Sequence, residues 1–355
     1  MSRILLLGLG DIGRRLAERL VVAPGIVEVI LAGRPSGDRS NLARLLSMCG
    51  AARVRLTEVD ALQQSALEKL LIRERPDLVI QCAALLSPWH ISQRTDPVAR
   101  GLLAAGFAIQ LPAQLPIVTT LMTAARSVGF VNPIVNCSYP DVTHPVLAAQ
   151  GLSPTIGIGN VGMILAIVRS ALRDRLRSPL PGVVRVVGHH AHVTSAILAR
   201  PPAPGIPRPR VYLGEEGRPA HAWVFRGQPL HSDQSLNGLT AASALPLITA
   251  LLPGGHSIRT SAPGPLGLPG GYPVLLQDGR LELDLPRRLT LNAAVALHTR
   301  SARLDGVQAI ARDGTIFFTD KAQAAVSRID PVLAEPLRLA EAGPRFQRLL
   351  GALTT

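Results

Sequence analysis

The sequence predicts an α/β fold, an N-terminal doubly wound parallel sheet followed by a smaller α+β domain. Three observations lead there. A glycine loop, Gly8-Leu9-Gly10-Asp11-Ile12-Gly13, directly follows the apolar run Ile4-Leu5-Leu6-Leu7. From there to residue 138, apolar runs of strand length alternate with helical patterns. Beyond residue 150 the pattern changes to hairpins, a proline-rich stretch and isolated helices. Alternation of strand and helix implies a parallel sheet covered on both faces. The boundary falls at residue 150, giving a first domain over 1–150 and a second over 151–355.

The glycine loop reads as strand, tight turn, helix. The first glycine permits the turn, the second lets backbone approach a pyrophosphate, and the third lets the helix pack close to the strand. The helix N-terminus offers unpaired N–H groups and partial positive charge to phosphate. The first domain is therefore expected to be a Rossmann domain, with Gly8, Gly10, Asp11, Ile12 and Gly13 as dinucleotide contacts. In the helix that follows, Ile12, Leu16 and Leu20 form one stripe and Arg14, Arg15, Glu18 and Arg19 cover the other side. Pro24-Gly25 stops it. Residues 27–32 make a second buried strand that ends in Gly33-Arg34-Pro35-Ser36, with no acid before Gly37. A carboxylate there would accept from ribose hydroxyls, whereas a guanidinium pairs with a 2′-phosphate. The expected cofactor is NADP rather than NAD, held by Arg34 and Ser36 with Arg39 and Ser40 behind.

The remaining elements follow in order. Residues 40–49 are helical, 53–59 a strand, and 62–74 a helix that Asp60 can cap. Residues 78–84 form a strand that ends in Cys82-Ala83-Ala84, small side chains against which a cofactor can lie. A less regular stretch, 85–110, contains Pro88, Trp89, His90 and Arg94. Then come a helix at 115–127 and a strand at 133–138. In the second half we expect a short helix at 141–149, a long one at 160–176 and a strand at 183–193 that ends in histidines. A proline-rich loop covers 200–209. Hairpins turn at Glu215-Glu216-Gly217, with arms 210–213 and 220–225, and at Asp278-Gly279, with arms 272–277 and 281–285. Helices at 239–252 and 290–303, a strand at 315–318 and a helical region from 320 complete the chain.

Bulk properties narrow the function. The chain has 355 residues, 47% of them hydrophobic, which suffices for one large domain or two ordinary ones. No apolar stretch reaches transmembrane length without Gly, Pro or charge, and the glycine loop stands where a signal peptide would. Cys49, Cys82 and Cys137 are scattered with no CxxC, which fits a reducing cytoplasm. The net charge of +13 would by itself suggest nucleic acid. However, it is carried by dispersed arginines, with lysine only at Lys69 and Lys321, and aromatics at 3% are too few for base-stacking platforms. The expected partner is a small, anionic substrate, with neither membrane nor nucleic acid as main partner.

The segment Gly188-His189-His190-Ala191-His192 ends a predicted strand, where alternation puts His190 and His192 on one face. An imidazole can give or take the proton that accompanies hydride transfer to a carbonyl or imine. Two other readings stand beside it: a metal held by His190 and His192 with His144 or Cys137, or purely structural histidines. Asn136, at the end of another strand, either orients a substrate oxygen or the nicotinamide ribose, or serves the turn. Asp141 reads as a helix cap in preference to a catalytic acid.

In order and spacing the chain resembles the lactate/malate dehydrogenase superfamily. The glycine loop, the strand at 78–84, Tyr139-Pro140-Asp141-Val142, Gly157-Ile158-Gly159-Asn160 entering a long helix, Gly188-His189-His190-Ala191, and the late hairpin after Gly271-Tyr272-Pro273-Val274 carry the resemblance. It implies that His190 is the proton-transferring histidine, with His192 in reserve, and that the protein forms a homodimer. The family's long helix carries an Asp that polarises this histidine and an Arg that clamps a substrate carboxylate. Those positions are Met163 and Ala166 here, and Ala191 replaces a glycine. Arg169, one turn on, and Arg94, in the region of the family's mobile loop, are the substitutes expected to bind an anionic substrate. The early chain also resembles saccharopine- and opine-type dehydrogenases in its glycine loop and Ala32-Gly33-Arg34. The resemblance thus implies an NAD(P)-dependent oxidoreductase acting on a carbonyl or imine other than lactate or malate. The alternatives are a dinucleotide-binding sensor or partner subunit that lost the chemistry, and a metal-dependent NAD enzyme of the family 4 glycosidase type, for which Cys137 with His190 would be ligands.

Overall fold

The structure is a computed structural model that describes residues 1–35, 37–175 and 182–354. Its elements run β1 (Ser2–Leu7), α1 (Asp11–Leu20), β2 (Ile26–Gly33), α2 (Gly37–Cys49), β3 (Arg53–Glu58), α3 (Gln64–Glu74), β4 (Leu78–Gln81), α4 (Pro88–Ser92), α5 (Pro97–Ala105), α6 (Leu111–Ser127), β5 (Ile134–Asn136), α7 (Pro140–Ala148) and β6 (Ile156–Gly157). These are followed by α8 (Val161–Arg175), β7 (Val184–Val187), α9 (Val193–Ile197), β8 (Arg210–Leu213), β9 (Arg218–Pro219), α10 (Asn237–Leu251), β10 (Ile258–Pro263), β11 (Gly271–Gln277), β12 (Arg280–Leu283), α11 (Leu291–Ala302), β13 (Val307–Ile310), β14 (Ile316–Phe318), α12 (Asp320–Val326) and α13 (Ala342–Thr354).

The main sheet has the order β3-β2-β1-β4-β5-β6, and each described pairing is parallel. The chain winds one way from β1 to β3 and the other way from β4 onward. Its switch point is therefore between β1 and β4, where an open α/β sheet binds ligands. Strand side chains alternate between two cores. Ile4 and Leu6 pack with Leu16 and Leu20 of α1 and with Ala241, Leu247 and Ile248 of α10. Leu5 and Leu7 pack on the other face with Leu67 and Leu71 of α3 and Leu121 of α6. Each such fully buried aliphatic side chain contributes about 1.5–3 kcal/mol. The smaller sheets are antiparallel: β7-β8-β9, β10-β11-β12 and β13-β14.

The two halves are interleaved. The sheet is completed by β6 after residue 150, α10 covers α1, and a third core joins Leu102, Leu111 and Val142 to Phe318, Val326, Phe346 and Leu349 from the C-terminal elements. This last core brings the turn after α11 against the mouth of the parallel sheet.

Several elements differ from expectation. The stretch 85–110 is ordered into α4, α5 and a 3-10 turn at Phe107–Gln110. The Asp96 carboxylate caps α5 by accepting from the Ala99 N–H at 2.9 Å, and Pro97 opens the helix. The strand expected to reach 193 stops at Val187, because Gly188 bridges to Gly271 and the chain then turns into a 3-10 helix, His190–His192. Residues 221–225 are likewise a 3-10 turn and not a hairpin arm. The long helix is described to Arg175, and Leu176 lies outside the described residues. The Phe107–Ser127 stretch is long and apolar enough to cross a membrane by length and composition, but it is a core element, 67% buried inside the fold.

Candidate active site

A cleft of about 690 Å³ opens at the carboxyl ends of β1, β2 and β4, within the range of small-molecule sites. The glycine loop forms its floor. Gly8, at φ +96°, donates its N–H to the Ala32 carbonyl at 2.9 Å. A Cβ on Gly8 would fall 2.5 Å from the Ala83 nitrogen, and one on Gly13 would fall 2.0 Å from the Gly8 carbonyl oxygen. A Cβ on Gly10 would meet nothing within 4 Å. The outer two glycines thus serve chain packing, while Gly10 leaves open space at the N-cap of α1, where no side chain caps the helix. Bare helix N–H groups beside that space suit a phosphate. Asp11 and Ile12 also line the cleft. The Asp11 carboxylate is paired with Arg15 at 2.8 Å and accepts from the Asn237 amide at 2.8 Å, which ties α1 to α10.

At the β2 end, Arg34 is exposed and lines the cleft. Arg39 joins it there, folding back to donate to the Arg34 carbonyl and covering Gly33. Ser36 lies outside the described residues. The wall beyond β4 is Cys82, Ala83 and Ala84. These leave the strand ladder because the Gln81 amide donates to the Ala83 carbonyl at 2.6 Å and the Ser138 hydroxyl donates to the same oxygen at 3.1 Å.

His190 lines the opposite wall with its side chain 27% exposed. Its Nδ1 lies 2.8 Å from the Asp305 carboxylate. Asp305 sits in a 3-10 turn, Arg303–Asp305, directly after α11. The same carboxylate accepts from the Tyr139 hydroxyl at 2.9 Å and lies 3.4 Å from His189 Nδ1. The backbone N–H of His190 donates to Asp141 at 2.9 Å, and Asn160 donates to the other Asp141 oxygen. Phe107 and Tyr139 pack on the imidazole with centroids 4.3 and 5.1 Å away. With Nδ1 taken by Asp305, Nε2 is the nitrogen left for the cleft. Burial alone would lower the His190 pKa, but the Asp305 charge and hydrogen bond, with Asp141 behind, raise it above the usual imidazole value. Burial would raise Asp305, yet His190 and His189 hold it well below the usual carboxylate range.

Several expected site residues are placed elsewhere. His192 is buried and does not line the cleft. Its Nδ1 accepts from the His189 N–H at 3.1 Å, its Nε2 meets the Ser301 hydroxyl at 3.0 Å, and burial pushes its pKa down to about 3. The strand alternation that paired it with His190 does not exist, since the strand has already ended. Asn136 is fully buried beneath the cleft, where its amide holds the turn through Ser138 and Thr143. Asp141 does not cap α7 but fixes His190 and Asn160. Arg94 bonds Asp96 at 2.6 Å and the Leu353 carbonyl at 2.7 Å, and Arg169 donates to the Arg259 carbonyl at 3.3 Å. Neither guanidinium lines the cleft, so neither supplies the expected clamp for an anion. His144 is tied to the Gly264 carbonyl at 2.7 Å, away from His190, and among the described residues no group of three His, Cys, Asp or Glu side chains could hold a metal ion.

Sequence reasoning missed Asp305. Its one local signal is an acid at the C-terminal end of a helix, where the macrodipole disfavours negative charge. Gln110 was also missed. It lines the cleft, is 5% exposed, and its Oε1 has no partner.

The fold has counterparts among solved structures. Malate dehydrogenase from Plasmodium falciparum aligns over 94% of this chain and 100% of its own, with a TM-score of 0.53 at 13% identity. A lactate dehydrogenase from a Medee basin deep-sea metagenome library aligns over 85% of this chain and 96% of its own, with a TM-score of 0.50 at 13% identity. The fold is that of the lactate and malate dehydrogenases. At this identity the likeness concerns fold, and function has to be argued from the site. The family model of the NAD dependent epimerase/dehydratase family matches residues 4–99. No curated protein matches the sequence. Met163, the position at which the resemblance leads one to expect the histidine's acid, lines the cleft, and its sulfur accepts from the Thr240 hydroxyl at 3.2 Å. Asp305 reaches the same imidazole from the far end of the chain.

Proposed function

We propose that the protein is an oxidoreductase that works with a nicotinamide dinucleotide, NADP in preference to NAD, and interconverts a carbonyl or imine with its reduced form. The observation that carries this reading is the His190–Asp305 pair on the wall of a cleft floored by the glycine loop. The pair argues for chemistry and against a sensor that merely retained the fold. The Gly8–Gly13 loop would hold the pyrophosphate, Arg34 and Arg39 a 2′-phosphate, and Cys82, Ala83 and Ala84 the nicotinamide end. The NAD dependent family match over residues 4–99 supports a nicotinamide dinucleotide in this place. When bound, the dinucleotide supplies or accepts a hydride.

His190 Nε2 gives a proton to the substrate oxygen or nitrogen in reduction and takes it back in oxidation. Asp305 holds Nδ1–H, fixes the tautomer and stabilises the imidazolium. Tyr139 and Asp141 hold the pair in place. Tuning the imidazole above its ordinary pKa extends upward the pH range in which it is protonated, the form that reduction needs.

His190→Ala is expected to lower kcat/KM about 10²–10⁴-fold in reduction of a carbonyl panel by NADPH, while NADPH binding by fluorescence titration stays near wild type. Unchanged turnover removes His190 from the chemistry. Arg34→Asp is expected to lower the preference for NADPH over NADH at least about tenfold, since a charge-assisted pair is lost and a repulsion added. Titration of both cofactors against both proteins checks it, and an unaltered ratio removes Arg34 from the 2′-phosphate site.

A further inference from the structure

We infer that the substrate end of the cleft takes an uncharged, largely apolar ketone or aldehyde, and not a 2-oxo acid. The inference rests on the reading of the cleft as a hydride-transfer site. Beyond the glycine loop, the cleft lining includes Leu85, Trp89, Leu103, Met163, Ile197 and Phe107, the last packed on the His190 ring, together with uncharged polar side chains such as Gln114, Asn160 and Thr240. Among the described residues that line the cleft, the only Arg or Lys side chains are Arg34 and Arg39, both at the β2 end. The two arginines nearest by sequence to a clamp, Arg94 and Arg169, donate to main-chain carbonyls elsewhere. A substrate carboxylate brought to this wall would lose its water and meet no arginine or lysine, and the His190 imidazole is already paired with Asp305, so the carboxylate charge would be left without a partner of its own. A neutral carbonyl compound suffers no such penalty and gains from burial of its apolar arms.

Of the described polar side chains that line the cleft, one is buried with an atom that has no partner. Gln110, at the end of the turn that carries Phe107, is 5% exposed and has an amide oxygen with no partner. A buried amide with an open position is matched by a hydroxyl or N–H of a neutral ligand. In the reaction, the carbonyl carbon gains a hydride and its oxygen gains the proton from His190 Nε2. The carbonyl is thereby reduced to the alcohol, and the dihydronicotinamide is oxidised to nicotinamide.

The test pairs benzoylformate with its ethyl ester, which differ in charge but share the reacting carbonyl. Binding to the protein saturated with NADP is measured by calorimetry, and reduction is measured with NADPH. We expect the ester to bind measurably and to exceed the acid in kcat/KM by at least about a hundredfold, nearly three kcal/mol by the tenfold-per-1.4 relation. Thr194→Arg puts a cation at the first turn of α9, on an exposed position that lines the cleft. It should narrow the ratio at least tenfold. An ester no better than the acid, including no response to either, overturns the substrate class. Failure to bind NADPH in a fluorescence titration overturns instead the hydride-transfer reading beneath it.

Discussion

Asp305→Asn is expected to lower the rate of carbonyl reduction about 10²–10⁴-fold near neutral pH, the range in which general acid catalysis contributes, and to change KM little. The sign of the accompanying pH effect follows from the two opposing influences on His190. Burial lowers its pKa, and Asp305, with Asp141 behind it, more than restores it. In the proposed mechanism reduction needs protonated His190, so its rate is expected to be level at low pH and to fall as pH rises through the raised pKa. With the Asp305 charge gone, burial prevails and the falling limb moves to lower pH. The same variant should lose less at acidic pH than at neutral pH. Asparagine keeps an acceptor for the Tyr139 hydroxyl, so the fold should persist, which circular dichroism and a melting curve can check. A pH profile that keeps its limb while the rate drops would make Asp305 a packing residue and not the partner of the proton-transferring imidazole.

Why this pair escaped the sequence is instructive. The place of His190 on the cleft wall was legible, because a glycine and an apolar strand precede it and the resemblance points to it, but its partner was not. Asp305 is 115 residues away and sits between Leu304 and Gly306, where it looks like punctuation at a helix end. Only the core shared by α5, α6 and the C-terminal helices brings that turn to the cleft. A missing Asp at Met163 therefore looked like lost chemistry when the same charge arrives from another element. The glycine loop, the alternation over the first half and the Asp278-Gly279 hairpin were legible because each is a local pattern: a turn that only glycine satisfies, a period of two or 3.6, a turn dipeptide. His192, Arg94 and Arg169 failed for one physical reason. Their identity says what they could bond, but which way they point is set by where the strand β7 stops and by which carbonyls lie in reach. The helices at 88–92 and 97–105 failed differently, since the Asp96-Pro97 start signal was present and outweighed by the irregular look of the stretch.

The glycine loop allows ligand binding and chain packing to be separated by mutation. Gly10 has φ −70° and ψ −173°, open to any residue, and a Cβ there meets nothing within 4 Å. It is also the N-cap of α1, a position where Asp ranks slightly above Gly because its carboxylate accepts from the first-turn N–H groups. Gly10→Asp should therefore leave the melting temperature unchanged or raise it. In the same step it fills the open space, takes the N–H groups a phosphate would use, and puts a negative charge against a pyrophosphate. NADPH affinity should fall at least about a hundredfold, some 2.8 kcal/mol. Gly13→Ala is the counterpart. Its Cβ would lie 2.0 Å from the Gly8 carbonyl oxygen, so α1 must move off β1. Overpacking of this kind costs about 1–3 kcal/mol, and stability and binding should fall together. The decisive result is a stable Gly10→Asp protein that no longer binds NADPH. If that protein bound NADPH as wild type does, no dinucleotide phosphate would lie over Gly10, and the cleft would have to serve another ligand.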